Sequence, residues 1–153
     1  MSNLTTGQHI PWHTIDLWLQ GYRSIWLSTT RPDGRPHCVP VWYYWLPAEK
    51  LVYIATHYTS VKARNLQHQP YVILCAGNAD DTIILEGVAH LVTAEEGRQF
   101  ANSLWMEKYV DPYSGTKATL GHEDDRIYCV KVQHIMAWMY GAMSSRTDWY
   151  FEH

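Results

Sequence analysis

The sequence has few of the features that mark several common classes of protein. Its three cysteines, Cys38, Cys75 and Cys129, are odd in number and have no CxxC spacing, which argues against a disulfide framework or a thiolate metal site. We expect buried free thiols in a reducing compartment. There is no GxGxxG motif and no P-loop motif, so nothing in the sequence supports a dinucleotide or nucleoside triphosphate site.

Long hydrophobic runs and blocks of basic charge are also missing. The longest apolar run, residues 38–47, is far too short to cross a bilayer. Residues 1–8 are polar and lack the apolar segment of a secretory signal. The net charge is −3 without a cluster of Lys and Arg, so we expect neither a membrane nor a nucleic acid as partner. Together these absences predict a cytoplasmic protein.

Tryptophan and tyrosine, in contrast, are abundant. Eight Trp and eleven Tyr stand beside only two Phe. Such amphipathic aromatics are favoured where one end of the side chain is buried and the other meets a ligand, a partner or water. At 153 residues and 46% apolar content, the chain should form one globular domain, residues 1–153, with a large interface or a flat ligand.

The spacing of apolar residues predicts mainly β structure with inserted helices. We expect helices at residues 10–21 (within an N-terminal segment, 1–22), 60–69 and 94–108, and strands at 24–30, 37–46, 51–56, 71–76, 82–92 and 127–140, with a last strand in the C-terminal tail, 141–153. A capping box, Thr93 to Glu96, should start the helix at 94. Asp33-Gly34 predicts a hairpin between the first two strands. Short connections then favour a six- to seven-stranded antiparallel barrel.

The third strand runs into a polar corner that we interpret as a phosphate site. Thr56, Thr59 and Ser60 offer hydroxyls, and Thr59 or Ser60 can cap the following helix. Lys62 lies in the first helical turn, where a cation is unfavourable unless an anion compensates it. Arg64 adds a second cation, and a helix start leaves N–H groups unpaired. The alternative is an ordinary surface helix whose Lys and Arg point into water.

The second strand carries a proline at its centre. Pro40 has no N–H to donate to a ladder, so the strand should have a free edge or a bulge there. A free edge beside the polar corner is a natural place for a ligand.

Four stretches of sequence follow one another in a specific order. They are Ser-Thr-Thr-Arg-Pro-Asp-Gly-Arg-Pro-His at 28–37, Val-Trp-Tyr at 41–43, Ser-Val-Lys-Ala-Arg-Asn-Leu at 60–66 and Leu-Glu-Gly-Val-Ala at 85–89. In this order they resemble the pyridoxamine 5′-phosphate oxidase-like split-barrel superfamily of flavin and deazaflavin proteins. The likeness covers roughly residues 15–93. It implies a split β-barrel homodimer with two cofactor sites, each built from both subunits.

The resemblance also gives the polar corner a role. The cofactor phosphate would be held by Lys62, with the hydroxyls of Thr56 and Ser60. The oxidases carry an Arg immediately before this Lys, where the present chain has Val61. Arg64 would replace that Arg, as Lys-x-Arg-Asn corners do in the deazaflavin branch.

Residues of the strands would contact the flavin ring. The resemblance implies that residues 37–42 run along the ring, that Thr82 touches the cofactor, and that Trp138 and Arg146 reach the partner's site. The cofactor-binding residues implied are His37, Val41, Trp42, Ala55, Thr56, Ser60, Lys62, Arg64, Asn65, Thr82 and Trp138.

Two departures from the oxidase pattern argue against vitamin B6 phosphate as the substrate. Trp42 stands where the oxidases have a Lys, and their Tyr, Arg and Ser set for the substrate phosphate is not recognisable near residues 94–108. We therefore expect an FMN-binding oxidoreductase that moves hydride or electrons between the flavin and an unidentified small molecule. A reductase that depends on the deazaflavin coenzyme is the alternative.

Two other classes use the same barrel, namely haem-handling proteins and flavin-binding proteins without turnover. Haem needs an axial His, Cys or Met, and the nine His keep it open, but Lys62 favours a cofactor that bears a phosphate. His37, His57 and His90 are candidates for proton delivery, although half-buried structural histidines are more common, so the catalytic residues stay unassigned. The acidic stretch 122–125 is typical of a solvated loop, and we expect no metal site.

Overall fold

The computed structural model describes residues 9–120, 122–140 and 142–153, with the backbone alone at 142–144. The N-terminal segment expected at 1–22 is thus described only from His9 onward, and residues 1–8 lie outside the described residues. The elements, in chain order, are α1 (Trp12–Gly21), β1 (Ser24–Thr30), β2 (Pro36–Leu46), β3 (Leu51–His57), α2 (Val61–His68), β4 (Tyr71–Gly77), β5 (Thr82–Leu91), α3 (Glu95–Lys108), β6 (Asp125–Met139) and β7 (Ala142–Tyr150).

The strands form an antiparallel barrel. Their order in the sheet is β3-β2-β1-β4-β5-β6-β7, and an additional pairing of β3 with β6 closes six strands on themselves. β7 is an extra strand on the outer side of β6. The expectation of a mainly β, six- to seven-stranded antiparallel barrel with inserted helices is confirmed. None of the helices in the described ranges is long and apolar enough to span a membrane.

Alternation of side chains explains the barrel wall. In β2, Val41, Tyr43 and Trp45 are buried, whereas Trp42 between them is exposed, as expected when successive side chains point to opposite faces. The fully buried interior includes Ile25, Leu27, Tyr43, Ile54, Leu74, Ile83, Leu85 and Ile135. Burying each Leu or Ile side chain contributes about 1.5–3 kcal/mol, so this interior fixes the register of the strands.

The hairpin between β1 and β2 is the turn that the sequence predicts. Gly34 has a φ of 85°, a backbone angle that residues with a Cβ rarely adopt. Arg31 N–H donates to Arg35 O at 2.9 Å, and Gly34 N–H donates to Arg31 O at 2.8 Å. The Asp33 carboxylate accepts from Arg35 Nε at 2.8 Å.

Two local expectations are wrong. α3 is preceded by Ala94 at its N-cap position, without a side-chain cap, so the capping box from Thr93 to Glu96 does not form, because the Thr93 hydroxyl lies one residue too early. The three cysteines are free, as expected, but Cys38 is exposed and the other two are only half-buried. They alternate with inward-facing residues and therefore lie on the outer face of the wall.

The helices cover different parts of the barrel. Ile15 and Leu19 of α1 are completely buried in the main core. Ala101 and Leu104 of α3 pack with Tyr53 and Ile127 in a second apolar cluster outside the wall. α2 connects β3 to β4 and packs on β1 and β3. This position brings the start of α2 to the end of β3, which sets up the candidate site.

Candidate functional site

β2 and β3 are paired over only part of their length. Residues 43–46 of β2 pair with residues 51–54 of β3, whereas residues 36–42 pair with β1 alone. All of β3 pairs with β6 on its other side, and residues 55–57 of β3 pair with β6 alone. In the part of the chain that the structure describes, no strand covers the other side of residues 36–42, so the free edge expected at Pro40 is confirmed. We call the opening between residues 37–42 and residues 55–57 the cleft.

A cavity of about 290 Å³ lies at the cleft. Trp42 of β2 borders it on one side, and Ala55 and Thr56 of β3 border it on the other. Trp105, Ala118, Thr119, Leu120, His122 and Asp125 complete the lining. The segment that follows α3 therefore forms a cover over the cleft.

The polar corner adjoins the cleft at Thr56, which lines the cavity. Ser60 is the N-cap of α2, and its Oγ accepts from the Ala63 N–H at 3.1 Å. The Thr56 hydroxyl donates to the same oxygen at 2.9 Å. A hydroxyl has two lone pairs and one proton. With both lone pairs engaged, the Ser60 proton is free to point toward an acceptor.

Lys62 adds an uncompensated cation to this corner. Its side chain is half-buried, and this burial lowers its pKa below the ordinary value. No carboxylate in the described ranges forms an ion pair with it. Within the same ranges, the N–H groups of Val61 and Lys62 have no hydrogen-bond acceptor. The start of α2 thus carries unpaired donors and a cation, with no ion-pair partner for that cation among the described residues, as at helix N-termini that bind phosphate.

Comparison with known proteins identifies the family of this chain. A family model described as pyridoxamine 5′-phosphate oxidase matches residues 12–139, most of the chain. The chain belongs to this family. No curated protein sequence matches it.

Solved structures of three differently named proteins share the fold of this pyridoxamine 5′-phosphate oxidase family member. A pyridoxamine 5′-phosphate oxidase-related, FMN-binding protein from Nostoc punctiforme is 15% identical, with a TM-score of 0.59 over 94% of this chain and 98% of that one. An F420 reductase is 20% identical, with a TM-score of 0.60 over 78% and 94%. A haem-binding protein from Mycobacterium smegmatis is 17% identical, with a TM-score of 0.66 over 87% and 55%. At these identities the likeness establishes the fold alone.

Arg64 and Lys62 point in different directions from α2. Arg64 lies two residues beyond Lys62, and residues at that spacing on a helix do not face each other. The exposed Arg64 side chain borders a different groove, of about 470 Å³, between α2 and the β1–β2 hairpin. Arg31, Arg35 and His68 line the same groove.

Asn65 lies on the buried side of α2. It is 2% exposed, and its side-chain amide donates to the Thr29 hydroxyl at 2.9 Å. This bond holds α2 against β1. His37 is half-buried and pairs with Thr29 across the strands, at the end of the open edge near α2. Val41 points into the core, so only its backbone can face the cleft.

Thr82 and Trp138 lie at the opposite end of the barrel. They pair with each other across β5 and β6, and Trp138 Nε1 donates to Ala79 O at 3.0 Å. Thr56 pairs with Arg126, twelve residues earlier along β6 than Trp138. At the rise of a strand this separation amounts to roughly 40 Å of chain. Within one chain, therefore, these two residues and the corner belong to different ends of the molecule.

Tyr109 is the important residue that sequence reasoning missed. Its ring stacks on Trp42 with 4.7 Å between centroids, and its hydroxyl accepts from the Tyr43 N–H at 2.7 Å. Burial raises the pKa of Tyr109 to about 12, so it stays a neutral phenol. No sequence pattern indicates that the residue at the end of a helix contacts a distant strand. The high Tyr content was the one general indication of such an aromatic contact.

Proposed function

We propose that the protein is an FMN-binding oxidoreductase that transfers hydride or electrons between the flavin and a small molecule. The flavin occupies the cleft, with its phosphate at the corner formed by Thr56, Ser60 and Lys62. The observation that carries this proposal is the half-buried Lys62, which has no ion-pair partner among the described residues and follows a strand with an open edge and unpaired N–H groups at the start of α2. The family match supports the same assignment.

The phosphate fit follows from the hydrogen-bonding inventory of the corner. A phosphate ester offers acceptor oxygens and negative charge. The corner offers the Ser60 proton, the N–H groups of Val61 and Lys62, and the Lys62 ammonium. Each of these groups lacks a partner in the described chain, and a bound phosphate would satisfy all of them at once.

The ring fit follows from the edge of β2. In the described ranges, residues 37–42 pair with β1 on one side and with no strand on the other, so the backbone groups that point away from β1 are left for the cleft. The isoalloxazine ring of a flavin carries donors and acceptors along one edge, and Trp42 gives the cavity an aromatic wall. A bound flavin would supply the redox chemistry, while the protein would bind it, orient it and exclude water.

Two other cofactors remain as alternatives, each with one supporting observation. The groove lined by Arg31, Arg35 and Arg64 favours a deazaflavin coenzyme whose tail carries more negative charge than FMN does. His122 lines the cleft cavity and could serve as an axial ligand for haem. A visible absorbance spectrum of the purified protein, with mass identification of the released cofactor, separates the three.

We also propose that the protein acts as a homodimer in the cytoplasm. Trp26 of β1, Cys75 of β4 and Ile84 of β5 form a row across the outer face of the wall, and Trp26 is 52% exposed. Tyr71 and Ile73 extend this surface. A second copy covering it would bury the row and could bring Trp138 toward the other cleft. The free cysteines support a reducing compartment.

The decisive experiment is titration of the protein with FMN, with binding measured by isothermal titration calorimetry. Lys62→Ala and Ser60→Ala should each weaken FMN binding, by about tenfold to a hundredfold for Lys62, because a charge-assisted bond contributes about 1.5–3 kcal/mol. Lys131→Ala, at an exposed lysine on β6, is the matched control and should bind normally. Full FMN affinity in Lys62→Ala would refute the corner as the phosphate site.

A further inference from the structure

A second cavity adjoins the cleft on the far side of Trp42. It measures about 430 Å³, within the size range of small-molecule sites. Trp42 and Ala118 line both cavities, so the two are neighbours. The remaining lining comes from Arg23, Tyr109, Val110, Asp111, Ser114, Thr116 and Lys117. We call it the side pocket.

The wall between the two cavities is held in place. Trp42 stacks on Tyr109 at an interplanar angle of 10°, and Tyr109 is 2% exposed. Trp42 itself is 44% exposed, so part of the indole remains available to a ligand. The guanidinium carbon of Arg23 lies 5.3 Å from the Trp42 ring centroid. An aromatic surface with an adjacent cation favours a flat ligand that carries negative charge.

The charges of the side pocket are not balanced. Arg23 and Lys117 form neither ion pairs nor side-chain hydrogen bonds with the described residues. Asp111 is the only acidic residue of the lining in the described chain, and its Oδ1 accepts from Ser114 N–H at 2.7 Å and from Tyr113 N–H at 2.9 Å. Hydrogen bonds to these N–H groups, and to a smaller extent the charge of Arg23, lower the pKa of Asp111. With two cations against one carboxylate, the lining keeps a net positive charge for an incoming ligand.

The segment that carries Lys117 is itself held. Val110 forms an antiparallel bridge with Lys117, and Ala118 N–H donates to Tyr109 O at 2.8 Å. Asp111 N–H donates to Thr116 O at 2.8 Å. The backbone at Lys117 is thus held in a fixed position in the lining that it shares with Arg23.

We propose that the side pocket binds the substrate, a small planar molecule that carries a carboxylate or a phosphate, with its anionic group between Arg23 and Lys117 and its flat part against Trp42. This inference rests on the proposed flavin site, because it places the substrate next to a flavin in the cleft. It gives the irregular segment 110–118 a function as the wall of the substrate site.

The test compares three ligands of similar shape on the full chain by calorimetry, with and without FMN. Benzoate and phenyl phosphate carry the anionic group, and benzamide is the neutral counterpart. We expect both anions to bind about tenfold more tightly than benzamide, and the tighter anion identifies the preferred group. Arg23→Gln and Lys117→Gln should each weaken anion binding by about twofold to fivefold, as expected for exposed charge pairs. Lys131→Gln is the matched control.

The result separates this inference from the flavin proposal. Arg23→Gln and Lys117→Gln should keep wild-type FMN affinity, whereas Lys62→Ala should lose FMN affinity and still bind benzoate. Equal binding of benzoate and benzamide, or unchanged anion affinity in both Gln variants, would overturn the side pocket as an anion site. If benzoate binds as expected but FMN does not bind at all, the flavin proposal fails and the anion site stands.

Discussion

The hydroxyl oxygen of Tyr109 lies 2.7 Å from both the backbone nitrogen and the backbone oxygen of Tyr43. The same oxygen is 2.9 Å from Arg23 O. β1 begins at Ser24, next to Arg23, and Tyr43 is the first residue of β2 that pairs with β3. The Tyr109 hydroxyl therefore hydrogen-bonds to backbone groups at the place where the β1–β2 ladder ends and the cleft begins. These bonds attach the end of α3 to the strand edge that we assign to the flavin.

Tyr109→Phe should destabilise the protein by about 1–3 kcal/mol, the cost of leaving a buried backbone donor unpaired. The stacking on Trp42 remains in the variant, so the loss isolates the hydroxyl. Urea denaturation followed by circular dichroism measures it. Tyr113→Phe, at a side chain that is 98% exposed, is the control and should be neutral. Equal stability of the two variants would show that the Tyr109 hydroxyl does not support the edge.

The pH dependence of FMN binding should reveal Lys62. Burial lowers the pKa of Lys62 in the unliganded protein, and a bound phosphate favours the charged amine and raises that pKa again. Binding then takes up a proton, so the affinity should fall as the pH rises through the lowered pKa of Lys62. Calorimetry between neutral and alkaline pH measures this change. Lys62→Gln should bind weakly, with that alkaline dependence lost; an identical pH profile in the variant would assign the proton to another group.

Lys108 gives a separate linkage between pH and stability. Burial lowers its pKa to about 8. Its Nζ has no hydrogen-bond partner in the described part of the chain, although it lies 3.7 Å from the ring centroid of Tyr43. The folded state therefore releases the proton at lower pH than the unfolded chain does. The contribution of Lys108 to the free energy of unfolding should rise as the pH increases from about 8 to the pKa of a lysine in the unfolded chain, near 10.4.

The measurement for Lys108 is a difference between two proteins. Wild type should gain on the order of 1 kcal/mol relative to Lys108→Met between pH 7 and pH 10, since the attraction to Tyr43 offsets part of the burial cost. Denaturation curves at several pH values provide the comparison, which cancels the titration of the tyrosines. A constant difference across this range would mean that Lys108 keeps its ordinary pKa.

The parts of the site that the sequence could predict are local ones. Ser60 precedes a helical pattern, and its cap forms; Pro40 lacks a donor, and the strand edge beside it is free. Both effects depend on the residue and its immediate neighbours. Asp33-Gly34 belongs to the same class, because the turn needs only a glycine that tolerates positive φ.

The parts of the site that the sequence could not predict depend on contacts between distant parts of the chain. Tyr109 meets Tyr43 across 66 residues, and no local pattern indicates such a contact. Thr82 and Trp138 were assigned to the cofactor site, but the register of β5 and β6 puts them at the other end of the barrel. Register is decided by the burial of whole strands. In one chain these two residues therefore lie away from the corner, and only the proposed homodimer would bring them to a cleft.

Trp26→Glu tests whether such a second copy is required. The indole lies at one end of the apolar row formed with Cys75 and Ile84, and a buried, unpaired carboxylate at a subunit interface is strongly unfavourable. We expect wild type to be dimeric by light scattering and the variant to be monomeric but folded, because the side chain points away from the core. Glu at the exposed Tyr113 is the control. If the site needs both subunits, FMN affinity should fall together with dimerisation. A monomeric variant with full FMN affinity would show that one chain holds the cofactor alone, and a monomeric wild type would remove the dimer from the proposal.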